Sequence, residues 1–311
     1  MLNLNVQPTY ERVMLMRIFM ICLLMLTSCT KPKVETDPEY KKTIDEWHQR
    51  RSDRLLTETG WLNLVGLEWL KQGKNTIGSD PSSDVRLPAD RAPAYCGTME
   101  LNGRVVTLHA DKNADIRFEG KNVSDMVLGS DADSITTVLE LGSLRFFIIQ
   151  RGEQTGVRIR DLQSPLLKAF KGIERFPVDK NWRLEATLEP YDPPKIIPVP
   201  TILNTIDSSR SPGAIRFEID GKTYRLDAIT ESGSDEYFMI VGDKTNGDQT
   251  YGGGRYIYIP KADSLGRTVI DFNKLYNPPC VFTSFATCPF PPLQNRLPIA
   301  IPAGEKTYGH H

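Results

Sequence analysis

Between Asp271 and Lys306 the chain concentrates side chains able to bind or react: Asp271, Asn273, Asn277, Cys280, Cys288, Arg296, Glu305 and Lys306. Five prolines from Pro278 to Pro292 lie among them. Proline fixes φ and restrains the residue before it, so such a loop can hold polar groups in place at little ordering cost. Guanidinium forks, here Arg296 and the upstream Arg255, suit a carboxylate or phosphate. Tyr251, Arg255, Asn273, Asn277, Arg296 and Lys306 therefore form the expected binding set for a small polar or anionic ligand. Asp271 and Glu305 are candidate acid and base of a hydrolase, or ordinary ion-pair partners of Arg255, Arg296 or Lys306.

Cys280 is a candidate nucleophile, but a thiolate wants a base, usually histidine, and only His48, His109, His310 and His311 exist. A disulfide between Cys280 and Cys288 is the expected state, leaving Cys96 free. The scarcity of histidine and the lack of paired cysteine motifs argue against a metal site. No cofactor is expected: Gly252-Gly253-Gly254 is followed by neither Lys-Ser nor Lys-Thr, and it precedes strand rather than helix residues. Arg151, Arg158, Arg160 and Arg183 stand near the ends of expected strands, where they could join Arg255 and Arg296 around an anion. Asp161, Asp179 and Asp243 offer them ordinary partners instead.

The elements that must position these groups are mostly strands. Asp37-Pro38 reads as an N-cap with proline at the first helical position, and Tyr40, Ile44, Trp47 and Leu55 follow near one helical face up to about Thr57. Beyond Gly60, short apolar stretches alternate with turn residues, the pattern of an antiparallel β protein. Asn102-Gly103 and Asp220-Gly221 each offer two positive φ values for a tight hairpin turn. Pro190 to Pro200 carries five prolines, which marks a loop or an edge. Strand patterning lapses between Ser164 and Lys180, the expected domain boundary.

At the other end, Arg12 and Arg17 precede an apolar run from Ile18 to Leu26, then Thr27-Ser28-Cys29. This reads as an export signal too short to cross a bilayer as a helix. With Cys after Leu-Thr-Ser it resembles a bacterial lipoprotein signal, in which Cys29 is acylated. The chain is expected to be exported and lipid-anchored to the bacterial cell envelope, at the periplasmic face or the cell surface. The formal net charge of −1 gives no long-range steering toward nucleic acid or anionic lipid. Membrane partnership would rest on the N-terminal lipid, and no protein partner is indicated.

Leu70, Gly73, Asn75 to Ser79, Asp84 to Pro88 and the strands to Phe147 resemble a forkhead-associated β-sandwich. That resemblance implies the fold only: Ser79 stands where the family has arginine, and Pro93 to Cys96 supplies neither the serine nor the histidine that hold a phosphothreonine. The whole body resembles the bacterial family called domain of unknown function 1684. The resemblance rests on Gly60-Trp61-Leu62, Gly66-Leu67, Trp69-Leu70, Arg151-Gly152, Phe176 to Asp179, Thr250 to Gly252, Gly254 to Tyr256, Asp271 to Asn273, Tyr276 to Cys280, Thr287 to Pro289, Asn295 to Leu297 and Ala303 to Lys306.

The expected protein is thus mainly β. It has a signal at 1–28, a tether at 29–36, an N-terminal helix plus forkhead-associated-like sandwich at 37–165, and a second antiparallel β domain, sandwich or barrel, at 175–311. Ligand binding through the C-terminal domain is the leading expectation. A hydrolase and a structural or assembly protein are the rivals.

Overall fold

The structure, a computed structural model, describes residues 37–309. The export signal, Cys29, the tether up to Thr36, His310 and His311 lie outside the described residues.

Helix α1, Pro38–Leu56, starts where local chemistry dictates: the Asp37 carboxylate accepts from Glu39 N at 3.1 Å and Tyr40 N at 3.3 Å, and Pro38 takes the position that lacks a helical partner anyway. Its buried face is Ile44, His48, Arg51 and Leu55, at helical spacing but half polar. Hydrogen bonds from Tyr40, His48 and Arg51 run to Asp271, Asn273 and Asn277, in the C-terminal half, although the sequence groups the helix with the sandwich. Gly60 follows the helix; a Cβ there would lie 2.1 Å from the Leu55 carbonyl oxygen, so only glycine permits this close turn.

The chain is mainly β after Gly60. A six-stranded sheet has the order Leu64–Trp69, Gln154–Asp161, Leu144–Arg151, Leu139–Leu141, Arg117–Phe118 and Lys121–Asn122. A five-stranded sheet has the order Val85–Arg86, Gly73–Gly78, Gly97–Asn102, Val105–Ala110 and Asp125–Leu128. One core joins them, with Ile77, Met99 and Leu108 from the second against Phe146, Val157 and Ile159 from the first. The strand Gln154–Asp161 is buried on both faces: Val157 and Ile159 enter the core, while Arg158 and Arg160 lie on the alternate face.

In the C-terminal half a four-stranded sheet runs Lys222–Asp227, Ile206–Ile219, Arg183–Pro200 and Arg267–Asp271, and a three-stranded sheet Ile229–Thr230, Glu236–Val241 and Arg255–Pro260. Phe217, Leu226 and Ile270 of one meet Met239, Val241 and Ile257 of the other, with Phe272 edge-on to Phe217 at 5.4 Å. Each such aromatic side chain contributes about 1.5–3 kcal/mol by leaving water. The proline-rich stretch does prove to be an edge: Arg183–Pro200 pairs with Arg267–Asp271 only from Arg183 to Thr187, and its later residues keep one neighbour across a bulge between Pro190 and Lys195.

The two expected hairpins both form, with different turns. At Asp220-Gly221 both residues have positive φ, 50° and 70°, and Ile219 pairs with Lys222. At the other, Asn102 pairs with Val105, so the turn is Gly103-Arg104 with positive φ at Gly103 alone. The turn shifts one residue from Asn102-Gly103, which sets Val106 opposite Leu101 and Leu108 opposite Met99, core residue against core residue, where an Asn-Gly turn would set Arg104 opposite Leu101.

Candidate functional site

The expected binding set does not converge on a hollow. Arg255 opens the strand Arg255–Pro260 with no exposure, and its guanidinium is spent on its surroundings: Nη2 donates to Asp243 Oδ2 at 2.8 Å and Ile301 O at 2.9 Å, Nη1 to the carbonyls of Ala303 and Glu305. Burial pushes its pKa down, with Asp243 opposing. Asn273, in a 3-10 turn after the strand Arg267–Asp271, donates from Nδ2 to Asp179 O, Asp271 Oδ1 and Tyr40 Oη, and accepts from Asp179 N at Oδ1. Asn277 donates its N–H to Glu305 Oε2 at 2.7 Å and its Nδ2 to Lys306 O at 2.6 Å. Lys306 itself lays its ammonium 5.3 Å from the centre of the Phe176 ring. These residues tie irregular main chain together, as buried polar groups must.

The acid–base candidates are equally engaged. Asp271 accepts from the Tyr40 hydroxyl at 2.9 Å and from Asn273 N at 3.1 Å. Glu305 is 1 % exposed, with Arg51 Nε at 3.7 Å and His48 Nδ1 at 3.9 Å from Oε1; burial raises its pKa. His48 donates from Nε2 to Asn273 O at 2.9 Å, and burial lowers its pKa to about 4. Cys280 is joined to Cys288 in a disulfide and so has no thiol to attack with. Cys96 is free and buried, its thiol pushed up to about 11 by burial. No group of three or more potential metal-binding side chains occurs among the described residues.

Of the expected set, Tyr251 and Arg296 line one cavity together. It measures about 680 Å³ and also touches Lys244, Gly252, Gly253, Phe290 and Pro291. Arg296 is exposed there, bonded through Nε to Pro291 O at 3.3 Å.

A larger cleft of about 930 Å³ lies elsewhere, walled by three parts of the chain. Helix α1 contributes Trp47, Arg51 and Arg54; the six-stranded sheet and its approach contribute Trp61, Arg151 and Arg158; the C-terminal half contributes Glu231, Glu236, Tyr256, Tyr258, Tyr276 and Thr287. Arg158 reaches it from the non-core face of Gln154–Asp161, just as Arg160 beside it donates to Gly60 O and to Asn63 Oδ1. The disulfide packs Cys280, Cys288 and Ala286 against Trp61 and Tyr251, which fixes the loop carrying Thr287.

The charges of the cleft are unequal. Arg151 is neutralised by Asp131 at 2.8 Å and bonds Thr287 Oγ1 at 3.2 Å. Arg158 is 5 % exposed and forms no ion pair with any described carboxylate. Its Nη2 reaches Thr287 Oγ1 at 3.4 Å, its Nε has no partner, and its guanidinium carbon lies 5.5 Å from the centre of the Trp61 ring. Burial, then the neighbouring Arg151, lowers its pKa to about 10. An uncompensated buried cation in a cleft is expensive, and a bound anion would relieve that cost.

The sequence offers Arg151 and Arg158 only among several possible anion binders, places Trp47 on a helical face and Trp61 and Thr287 in the family resemblance, and gives Arg54 and Glu231 no role. A usable signal was present: Arg158-Ile159-Arg160 alternates two cations with a core residue on a strand that continues into apolar neighbours.

Residues 168–306 match the family described as protein of unknown function, DUF1684. Residues 168–306 of the chain belong to this family. The DUF1684 chain is similar to an uncharacterised protein from gene locus rrnAC0354 of Haloarcula marismortui: 30 % identity, 45 % of this chain and 78 % of that one covered, TM-score 0.38. It is also similar to the FhaA FHA domain seen in complex with the intracellular domain of Rv3910, at 17 % identity, covering 30 % of this chain and 97 % of that one with a TM-score of 0.22. A second such likeness, to the Rv0020c FHA structure, has 17 % identity, coverage of 30 % and 88 %, and a TM-score of 0.21. No curated protein matches the DUF1684 chain.

Proposed function

We propose that the chain is a binding protein whose ligand carries an anionic group, received in the cleft between α1, the six-stranded sheet and the C-terminal half. The observation that carries this reading is Arg158: a guanidinium 5 % exposed, lining the cleft, with an unpartnered Nε and no carboxylate of its own. Arg151 and Thr287 complete a donor set beside it, and Trp61 offers an apolar surface next to the charge. Such a mixture of a few convergent polar groups with aromatic walls is what small-ligand sites require. The hydrolase alternative draws no support from Asp271 or Glu305, since neither lines the cleft.

Titration of the chain with formate and with acetate, monovalent anions small enough to reach Arg158 without covering the glutamates, read by tryptophan fluorescence, tests the proposal. A saturable change that weakens with added salt and vanishes in Arg158→Gln is expected. Binding retained unchanged by that variant would remove the site. The cleft would be displayed at the envelope if Cys29 is the lipid anchor; a Cys29→Ala chain that still partitions with membranes would remove the anchor.

A further inference from the structure

We infer that the ligand is an acidic saccharide bearing a single negative charge: its carboxylate meets Arg158, and its hydroxyls meet Glu231 and Glu236. This rests on the anion-binding reading and goes further, to the class of molecule.

The charge balance of the cleft limits the anion. Arg151 is answered by Asp131 at 2.8 Å and Arg51 has Glu305 at 3.7 Å; Arg158 is buried with no ion pair, sharing the field of Asp131 with Arg151, while Arg54 and Lys274 stand in wetter parts of the cleft. One guanidinium fork matches one carboxylate bidentately. A second negative charge would find only Arg54 and Lys274, which are nearer to water and more screened, and the two glutamates on the same cleft would oppose it.

Those glutamates call for donors. Glu231 accepts the Tyr258 hydroxyl at 2.8 Å through Oε2, and neither Glu231 nor Glu236 forms an ion pair among the described residues. An ionised carboxylate only accepts hydrogen bonds. A purely hydrocarbon acid placed in this cleft would strip water from the glutamates and give nothing back, whereas sugar hydroxyls donate to them. The walls agree with this choice. Trp47, Trp61 and Tyr258 are half-buried and line the cleft, and rings of this kind accept the apolar face of a pyranose while their polar edges stay wet. The Tyr256 hydroxyl is already committed to Pro289 O at 2.8 Å, so ordering of that wall needs no ligand.

Calorimetric titration of the full chain with glucuronate, galacturonate, glucose and cyclohexanecarboxylate decides. At least one uronate is expected to bind about tenfold or more tighter than either glucose or cyclohexanecarboxylate. Glu231→Gln and Glu236→Gln, both exposed substitutions, are expected to weaken the uronate severalfold, while cyclohexanecarboxylate binds no more weakly than before. If cyclohexanecarboxylate binds as tightly as the uronates and both glutamine variants are silent, the saccharide inference falls while anion binding at Arg158 stands. If neither kind of acid binds, both fall together.

Discussion

Arg255 and Arg158 are both buried arginines in strands, and they differ in what surrounds the guanidinium. Around Arg255, Asp243 and the carbonyls of Ile301, Ala303 and Glu305 answer both terminal nitrogens and the charge from within the fold, although Nε has no partner, as in Arg158. Around Arg158 a threonine hydroxyl at 3.4 Å and the Trp61 ring are the contacts, and the one carboxylate acting on it, Asp131, is already paired with Arg151. Polar density alone therefore does not mark a site; the donors left without an internal answer do. The C-terminal loops are rich in polar side chains because irregular backbone needs them, and the function has room only where the fold stops supplying partners.

Three measurements can break or sharpen that contrast. The largest effect is expected for Arg255→Ala, which strands Asp243 and three carbonyls. Denaturant unfolding should show a loss of about 3–5 kcal/mol; a loss under about 1 kcal/mol would mean the pair is not the frame it resembles.

The second concerns His48, which belongs to the answered region. Its folded pKa of about 4 lies below the ordinary value of 6.5 because burial disfavours the cation. Between those values the unfolded chain binds the proton and the folded chain does not, so its contribution is complete above about pH 6.5 and fades as pH falls toward 4. That contribution is about 3 kcal/mol across the window. His48→Gln should flatten the decline in unfolding free energy from pH 6.5 to 4; an unaltered slope would show that the ring is not held neutral.

The smallest effect is expected for Arg158→Met. Replacing an unanswered cation with an apolar side chain of similar length should change unfolding free energy by less than about 1 kcal/mol, in either direction, while abolishing anion binding. A loss comparable to that of Arg255→Ala would make Arg158 part of the frame and erase the contrast.

Features decided by near neighbours were legible in the sequence. Asp37-Pro38 starts the helix because both its cap and its first turn lie within three residues, and Asp220-Gly221 turns because its conformational needs are its own. The proline run reads as an edge since the missing donors are local. Even one residue away from such rules the outcome changes hands: at Asn102-Gly103 core register moved the turn. The site was illegible for the same reason carried further. Whether an arginine is answered depends on residues far along the chain: Arg158 finds Thr287 from 129 positions away, and Arg51 finds Asn277 from 226. The partners of the helix are equally illegible, because its polar buried face, His48 and Arg51, carries no label for the residues it meets.

Gly60 joins the helix to Trp61, and there is no space at its α-carbon for even one methyl group, while its carbonyl receives Arg160. Two walls of the cleft, the helix end and the indole, therefore share a single pivot that tolerates no bulk. A lesion at this one position would be felt as a change in the shape of the cavity mouth, with both sides moving at once, and not as a local dent in either.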